Sequence, residues 1–418
     1  MARAIDERTA RAVPAGAWLG VLGGGQLGRM FVHAAQQLGF KVLVLEPDPG
    51  SPAAAAADRH LMAPYTDTAA LDALAATCAA VTTEFENVPA DALARLAATG
   101  ISISPAAAAV QVCQHRAREK SAFANAAVPC APHALIESMA DIERVIAHNA
   151  HDAHNAHSAH IAHNAPPLFP GILKTASLGY DGKGQRPVAD AASLRDAWAS
   201  LGAVPCVLEK RLALQQEISV VVARSAGGQL VHLPVQQNLH RDGVLAVTQV
   251  PAPDVRPALA DEAVNQAGRM AIALDYVGVL CVEFFIVDDG TPGGALVANE
   301  MAPRPHNSGH WSIDGSDVSQ FDLQVRCMAG LPLPTPRLHS SAVMLNLLGE
   351  LWFDAQGNEC TPPWTEVLAL PGAHLHLYGK AGARRGRKMG HVTITGDDAA
   401  GARAVALQVA ALLGLPLF

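Results

Sequence analysis

The sequence predicts a multidomain chain of mixed α/β and α+β class, and three observations carry that expectation. At 418 residues it exceeds what one ordinary core serves, so two or three domains are expected. Near the start, Trp18-Leu19-Gly20-Val21-Leu22 reads as a buried strand, Gly23 to Gly28 as a glycine turn and residues 31–38 as a helix. A second strand, residues 41–46, follows Gly39, in the order a right-handed βαβ unit requires. From residue 171 onward, β runs bounded by Gly, Pro and Asp turns dominate.

Composition narrows the class. Half of the residues are hydrophobic and 16% are charged, with a mean hydropathy of +0.18, the balance of an alanine-rich globular chain. No apolar run approaches the about 20 residues a membrane helix needs, and no signal-peptide pattern opens the chain. A cytoplasmic location without a membrane partner is therefore expected. Seven cysteines without a CxxC pair suggest neither a zinc site nor a disulfide framework, which fits a reducing compartment. A net charge of −8 argues against a general nucleic-acid binder.

The stretch from Asn299 to Trp311 organises the rest. Residues 279–287 and 294–300 read as two β runs joined by the turn-rich residues 288–293. A hairpin would bring Glu283 and the pair Asn299/Glu300 within reach of one cation, and hard oxygen ligands of this kind suit Mg²⁺. Glu283 interrupts a run that is apolar on both sides, and a carboxylate in a buried strand needs a partner. After Glu300, Pro303 and Pro305 fix a non-helical path through Arg304, His306, Asn307, Ser308 and Gly309, a loop made to surround a small polar anion.

Gly23, Gly25 and Gly28 fit GxGxxG, for which a dinucleotide site is the first inference. The glycines themselves require only that amides at a helix N-terminus approach a phosphate or carboxylate. Glu46, ending the second strand, would hold a ribose hydroxyl in a rival nicotinamide-binding reading. Glu84 and Glu86 follow another strand, at the carboxyl edge where a parallel sheet presents ligands. A helix is expected over residues 106–126, with a domain boundary near its start and Arg116 and Lys120 on one face.

Residues 148–165 repeat histidine every three positions, a period that fits no packed face and predicts a flexible insertion able to take up Ni²⁺ or Zn²⁺ opportunistically. The next strand delivers Lys174, and the loop after it has the glycines to fold its amides over polyphosphate; it is not a Walker A loop. Residues 206–212 and 217–224 read as adjacent β runs, with Glu209 reading an adenine edge and Glu217 taking ribose hydroxyls.

A lysine strand, a glycine loop, a strand ending near Glu209 and a late Glu283…Asn299-Glu300 set, in this order, resemble the ATP-grasp superfamily. There the grasp fold is preceded by a Rossmann-like parallel α/β domain and followed by a small C-terminal domain. The motifs at residues 23–30, 179–185, 238–243, 302–311 and 386–391 are similar to those of the N5-carboxyaminoimidazole ribonucleotide synthase family of purine biosynthesis, and the resemblance covers Trp18 to His391. The domains expected are an extension at 1–17, a Rossmann-like domain at 18–113, a grasp domain at 114–335 with the 148–165 insertion, and a C-terminal domain at 336–418.

The resemblance implies a ligase that uses ATP and bicarbonate to make carboxyphosphate, whose carboxyl passes to the exocyclic amine of 5-aminoimidazole ribonucleotide. ATP is implied at Arg116, Lys120, Lys174, Ser177, Gly179, Tyr180, Asp181, Gly182, Lys183, Gly184, Gln185, Glu209, Lys210, Arg211, Leu212, Glu217, His240, Asn299 and Glu300. Glu283 and Glu300 are implied to hold Mg²⁺, with Mn²⁺ as an alternative. Arg304, His306, Asn307 and Lys380 form the implied catalytic set, and Gln26, Glu84, Tyr180, Asp181, Lys380 and Arg387 the ribonucleotide site. A homodimer is implied as well. Two departures from the family pattern are Leu178, where a second glycine usually precedes the tyrosine, and the histidine tract. A related transformylase that uses formyl phosphate is the alternative within the same fold.

Overall fold

The computed structural model describes residues 12–154, 167–177, 184–291 and 293–418. Residues 1–11 of the expected extension, residues 155–165 of the histidine tract, and Leu178, Gly179, Tyr180, Asp181, Gly182 and Lys183 of the glycine loop lie outside them.

The first sheet is parallel throughout, with five strands in the order Arg59–Leu61, Lys41–Leu45, Trp18–Leu22, Ala80–Thr83 and Ser102–Ser104. Trp18–Leu22 is apolar along its length because both faces are covered. Leu19 and Val21 pack with helix Gln26–Gln37, while Leu22 packs with Leu71, Leu74 and Leu93 on the other side. The helix expected from residue 31 begins at Gln26, so the glycine turn is itself the helix N-terminus. The backbone of Val13 donates to Ala329 O at 2.8 Å, which ties part of the expected extension to the body.

The single helix expected over residues 106–126 is two helices, Ala107–Cys113 and Arg116–Asn125. The break has a physical cause. Gln114 sends its side-chain amide to the carbonyls of Glu86 and Val88, at 2.7 and 2.8 Å, and Arg116 N donates to Ala176 O at 2.8 Å. A continuous helix would turn that last amide inward.

Two antiparallel sheets form the rest. The smaller has the order His133–Ile136, Cys206–Lys210, Gly171–Thr175, Gln185–Val188, with Leu173 and Leu208 packed on Ile142, Val145 and Leu194 of its helices. One of those helices, Met139–His154, runs into the histidine tract, so the tract begins helical and not as a flexible start. Alanine is the strongest helix former, and extending a helix already nucleated is easy.

The larger sheet has nine strands. Its path runs Ala295–Ala302, Gly278–Val287, Leu214–Arg224, Gln236–Arg241, Val244–Val250, Ser341–Leu348, Lys388–Gly396, Ala373–Leu377, with Leu230–His232 beside Leu214–Arg224. The C-terminal strands thus extend the central sheet. Strands Cys206–Lys210 and Leu214–Arg224, expected to be neighbours, belong to different sheets: the first pairs with Gly171–Thr175 and the second with Gly278–Val287. The chain crosses between sheets at residues 211–213, where Arg211 N donates to Pro170 O at 2.9 Å and Ala213 O accepts from Asp288 N at 3.0 Å.

Helix Gln320–Ala329 joins the parts. Phe321, Val325 and Met328 enter the core of the parallel sheet, while Leu323 and Cys327 pack with Trp311 and Val279 under the large sheet. A helix apolar on two faces fixes both sheets relative to each other.

Candidate functional site

The hairpin expected around Glu283 is formed, and its register explains the site. Glu283 pairs with Glu300, whereas the next residue, Phe284, pairs with Ala298, so Asn299 is the extra residue of a one-residue bulge. In a regular strand Asn299 and Glu300 would point to opposite faces; the bulge turns both toward one cavity. That cavity, of about 800 Å³, lies between the two antiparallel sheets. Burial, and then repulsion from Glu300, push the Glu283 carboxyl up to about 7. Asn299 Oδ1 is buried and has no hydrogen-bond partner among the described residues. Two facing carboxylates and an orphaned amide oxygen make a hard donor set, which fits Mg²⁺.

Lys174, Lys210, Arg211, Leu212, Glu217, His240 and Gln185 line the same cavity, with Arg116, Glu209, Asn299 and Glu300. Lys174 donates to Glu209 Oε2 at 2.9 Å. Burial alone would raise the Glu209 carboxyl, but Lys174 and Lys120 outweigh it and hold the group at about 2. Arg116 Nη1 reaches Glu300 Oε2 at 3.2 Å. Glu217 accepts from His240, and this contact, with the nearby Glu283, raises the imidazole against the effect of burial.

Lys120 is a correction. Expected on the phosphates, it stands behind the wall, fully buried, and donates to Asn299 O at 2.9 Å. Its Nζ also lies 3.3 Å from Glu209 Oε1, an ion pair without hydrogen-bond alignment. Ser177 lines a small neighbouring cavity of about 60 Å³ with Arg116 and Glu300, and Gly184 borders the glycine loop. Gly179, Tyr180, Asp181, Gly182 and Lys183 are outside the described residues.

The loop after Glu300 delivers its side chains in two directions. His306 and Asn307 face the cavity. His306 Nδ1 lies 2.9 Å from Ser308 Oγ, and Nε2 lies 3.4 Å from Glu283 Oε1. Burial first, then Arg304 and Lys388, lower the imidazole well below its ordinary value, so this ring is neutral and its contact with Glu283 is polar rather than ionic. Asn307 and Asn346 exchange amide hydrogen bonds at 3.0 and 2.7 Å, which fixes the loop to the next strand. Arg304 instead points to the first domain and donates from Nε to Glu86 Oε2 at 2.5 Å.

The glycine turn is occupied by the protein itself. Glu84 accepts from Gly25 N at 2.9 Å and Gly28 N at 3.2 Å. A Cβ on Gly25 would stand 2.6 Å from Glu84 Oε1, which is why glycine is required there. Glu46 is equally committed: it accepts from Asp48 N at 2.9 Å and from the Tyr65 hydroxyl. The amides and the acid that a nicotinamide dinucleotide would need are both taken, so that rival reading is set aside. Burial raises the Glu84 carboxyl, against the pull of the two amides, Arg304 and Lys380. Arg304, hydrogen-bonded to Glu86, thus lies close to the segment that carries Glu84.

Lys380 donates to Lys388 O at 2.8 Å, and Arg387 Nη1 donates to Ala381 O and Gly382 O at 2.7 and 2.9 Å. Gln26 sits half-buried in the first turn of its helix. From the same turn, Arg29 Nη1 comes within 3.3 Å of where a Cβ on Gly379 would lie. Sequence reasoning gave no role to Arg29 or to Lys388, which lines the cavity, and placed Glu86 only at the carboxyl edge of a sheet. Lys388 had a signal, its place in the basic run 384–388; Arg29 had only its place in the 23–30 motif, and nothing near Glu86 pointed to Arg304.

Three family models match in order: a ribonucleotide synthetase preATP-grasp domain over residues 17–114, an ATP-grasp domain over 125–321, and a phosphoribosylaminoimidazole carboxylase C-terminal domain over 342–405. The N5-carboxyaminoimidazole ribonucleotide synthase of Brucella melitensis is 41% identical over 380 residues, covering 90% of this chain and 96% of that one. The Staphylococcus aureus N5-carboxyaminoimidazole synthetase solved with ADP is 34% identical with a TM-score of 0.82, covering 96% of this chain and 98% of that one. The Aspergillus clavatus synthase solved with ADP and 5-aminoimidazole ribonucleotide is 28% identical with a TM-score of 0.81, covering 96% and 99%. With likeness of this extent running through all three matched segments, the chain belongs to the N5-carboxyaminoimidazole ribonucleotide synthase family, ligases of the ATP-grasp fold.

Proposed function

We propose that the chain carries out ATP-dependent carboxylation of 5-aminoimidazole ribonucleotide in purine biosynthesis, using bicarbonate and giving N5-carboxyaminoimidazole ribonucleotide, ADP and phosphate. The observation that carries this reading is the Glu283–Glu300 pairing with the orphaned Asn299 oxygen on the wall of a nucleotide-sized cavity.

In this reading a bicarbonate oxygen attacks the γ-phosphorus of ATP, ADP leaves, and carboxyphosphate forms. The exocyclic amine of the ribonucleotide then attacks the carboxyl carbon, phosphate leaves, and the amine loses a proton. Bicarbonate is a weak nucleophile that needs placement more than activation. Arg304, neutral His306 and Asn307 supply positioned donors, and Lys380 adds a cation beside the acceptor. Lys174 and Arg116 offset phosphate charge, Glu209 to Leu212 border the base, and Glu217 with His240 borders the ribose. Glu283, Glu300 and Asn299 would hold Mg²⁺, which neutralises phosphate oxygens when bound. Gln26, Glu84 and Arg387 complete the ribonucleotide site, with Tyr180 and Asp181 added from the glycine loop. A homodimer is part of the reading and rests on the resemblance, and a cytoplasmic location rests on the sequence composition; among the described residues no helix is long and apolar enough to cross a membrane.

The test is ADP release with each substrate omitted in turn. Omitting either bicarbonate or the ribonucleotide should reduce release to background. Release that is unaffected by the ribonucleotide, or supported by formate in place of bicarbonate, overturns the reading.

A further inference from the structure

In the proposed function Arg304 carries the guanidinium on the bicarbonate side, and the role of its carboxylate partner rests on that reading. The Arg304 side chain is held at two points. Nε donates to Glu86 Oε2 at 2.5 Å and Nη1 to Pro305 O at 3.2 Å, while Nη2 has no protein partner among the described residues. A guanidinium fixed through Nε and one Nη keeps its plane and presents its remaining edge in one direction, as recognition of a planar anion requires.

Glu86 comes from the other domain, 218 residues away. Its backbone is itself secured, since the Gln114 side-chain amide donates to Glu86 O at 2.7 Å and to Val88 O at 2.8 Å. Two residues earlier on the same segment, Glu84 is clasped by the amides of Gly25 and Gly28. One short stretch of the parallel-sheet domain thus anchors itself at the glycine turn with one carboxylate and reaches the anion loop with the next. Burial would raise the Glu86 carboxyl, but Arg304 outweighs it and holds the group at about 2, so the pair is ionised throughout the working range.

We infer that Glu86 is a positioning residue: from the first domain it orients Arg304 for bicarbonate and carboxyphosphate without touching either. The requirement is geometric as much as electrostatic, because a misplacement of the order of 1 Å at a reacting group costs about 100-fold in rate.

The experiment measures ADP release by the full chain and its Glu86→Ala, Glu86→Gln and Glu86→Asp variants, with KM obtained separately for bicarbonate, ATP and the ribonucleotide. Glu86→Ala should raise the bicarbonate KM about tenfold or more and lower kcat, with the ATP KM within about twofold of the parent. Glu86→Gln keeps an acceptor for Nε and should lose about threefold, whereas Glu86→Asp, too short to reach, should resemble alanine. Should the alanine variant fail to fold, the glutamine variant decides through a cycle with Arg304→Lys, which removes Nε. In that background Glu86→Gln should add less than about twofold. A folded Glu86→Ala with an unchanged bicarbonate KM, equal rises in the ATP and bicarbonate KM, or full additivity in the cycle overturns the inference. Bicarbonate dependence of the parent, measured in the same assay, separates that outcome from a failure of the proposed reaction.

Discussion

Glu283 and Glu300 lie opposite each other in an antiparallel pair, and the bulge beside them turns Asn299 to the same side. Like charges placed directly across two strands destabilise a sheet, and a cation held between the two carboxylates would relieve that repulsion.

Replacing one carboxylate should therefore stabilise the ligand-free protein while removing function. Glu283→Gln is expected to raise apo stability by about 1 kcal/mol, the scale of one pK unit of relieved repulsion, and to lower ADP release at least about 100-fold. Thermal melting without nucleotide and the release assay check the two halves. Glu300→Gln should also abolish turnover with the fold intact; unchanged release in that variant would discard the metal assignment.

Lys120 and Lys174 both face Glu209 but should behave differently. Lys120→Met strips the fully buried partner from Glu209 and the donor from Asn299 O, and should cost about 3 to 5 kcal/mol as measured by denaturant unfolding. Lys174 is on the cavity wall, so Lys174→Met should show mainly as a raised ATP KM, with a smaller loss of stability.

Acid stability should report the Glu86–Arg304 pair. The folded carboxyl is held at about 2 against an ordinary value of 4.5. A depressed folded value means that the contribution is fully present above the ordinary value and disappears as pH falls from about 4.5 toward about 2. The stability of Glu86→Gln, followed by urea unfolding, should fall less over that window than the parent's.

Gly25→Ala tests the glycine turn. A methyl group 2.6 Å from Glu84 Oε1 must displace that carboxylate, at about 1 to 3 kcal/mol of overpacking. Ribonucleotide KM should rise about tenfold with ATP KM unchanged. Gain of NADH binding by the parent or the variant would contradict the occupant assigned to this turn.

Much of this architecture was legible because single residues violate their local pattern. Glu283 breaks an apolar strand, two prolines bracket Arg304, and the glycines follow a buried strand; each is a local signal. What escaped depends on distant pairing. That Glu84 fills the glycine turn from 59 residues away is invisible to any local pattern, and so is the role of Glu86. Arg116 and Lys120 read as one helical face, yet only tertiary packing decides that the first reaches the cavity and the second is buried behind it. The break between their helix and the preceding one was likewise set by the partners of Gln114 and Arg116, not by propensity. The strand that ends at Lys210 and the one that starts at Leu214 are close in sequence, yet each pairs within a different sheet.

Lys120 has one further consequence. Its ammonium, fully buried, meets Glu209 of the smaller sheet and the Asn299 carbonyl of the larger one. Drawing the two sheets apart at this point would strip a buried ammonium of one of its two partners, so a single side chain hidden behind the cavity opposes their separation there.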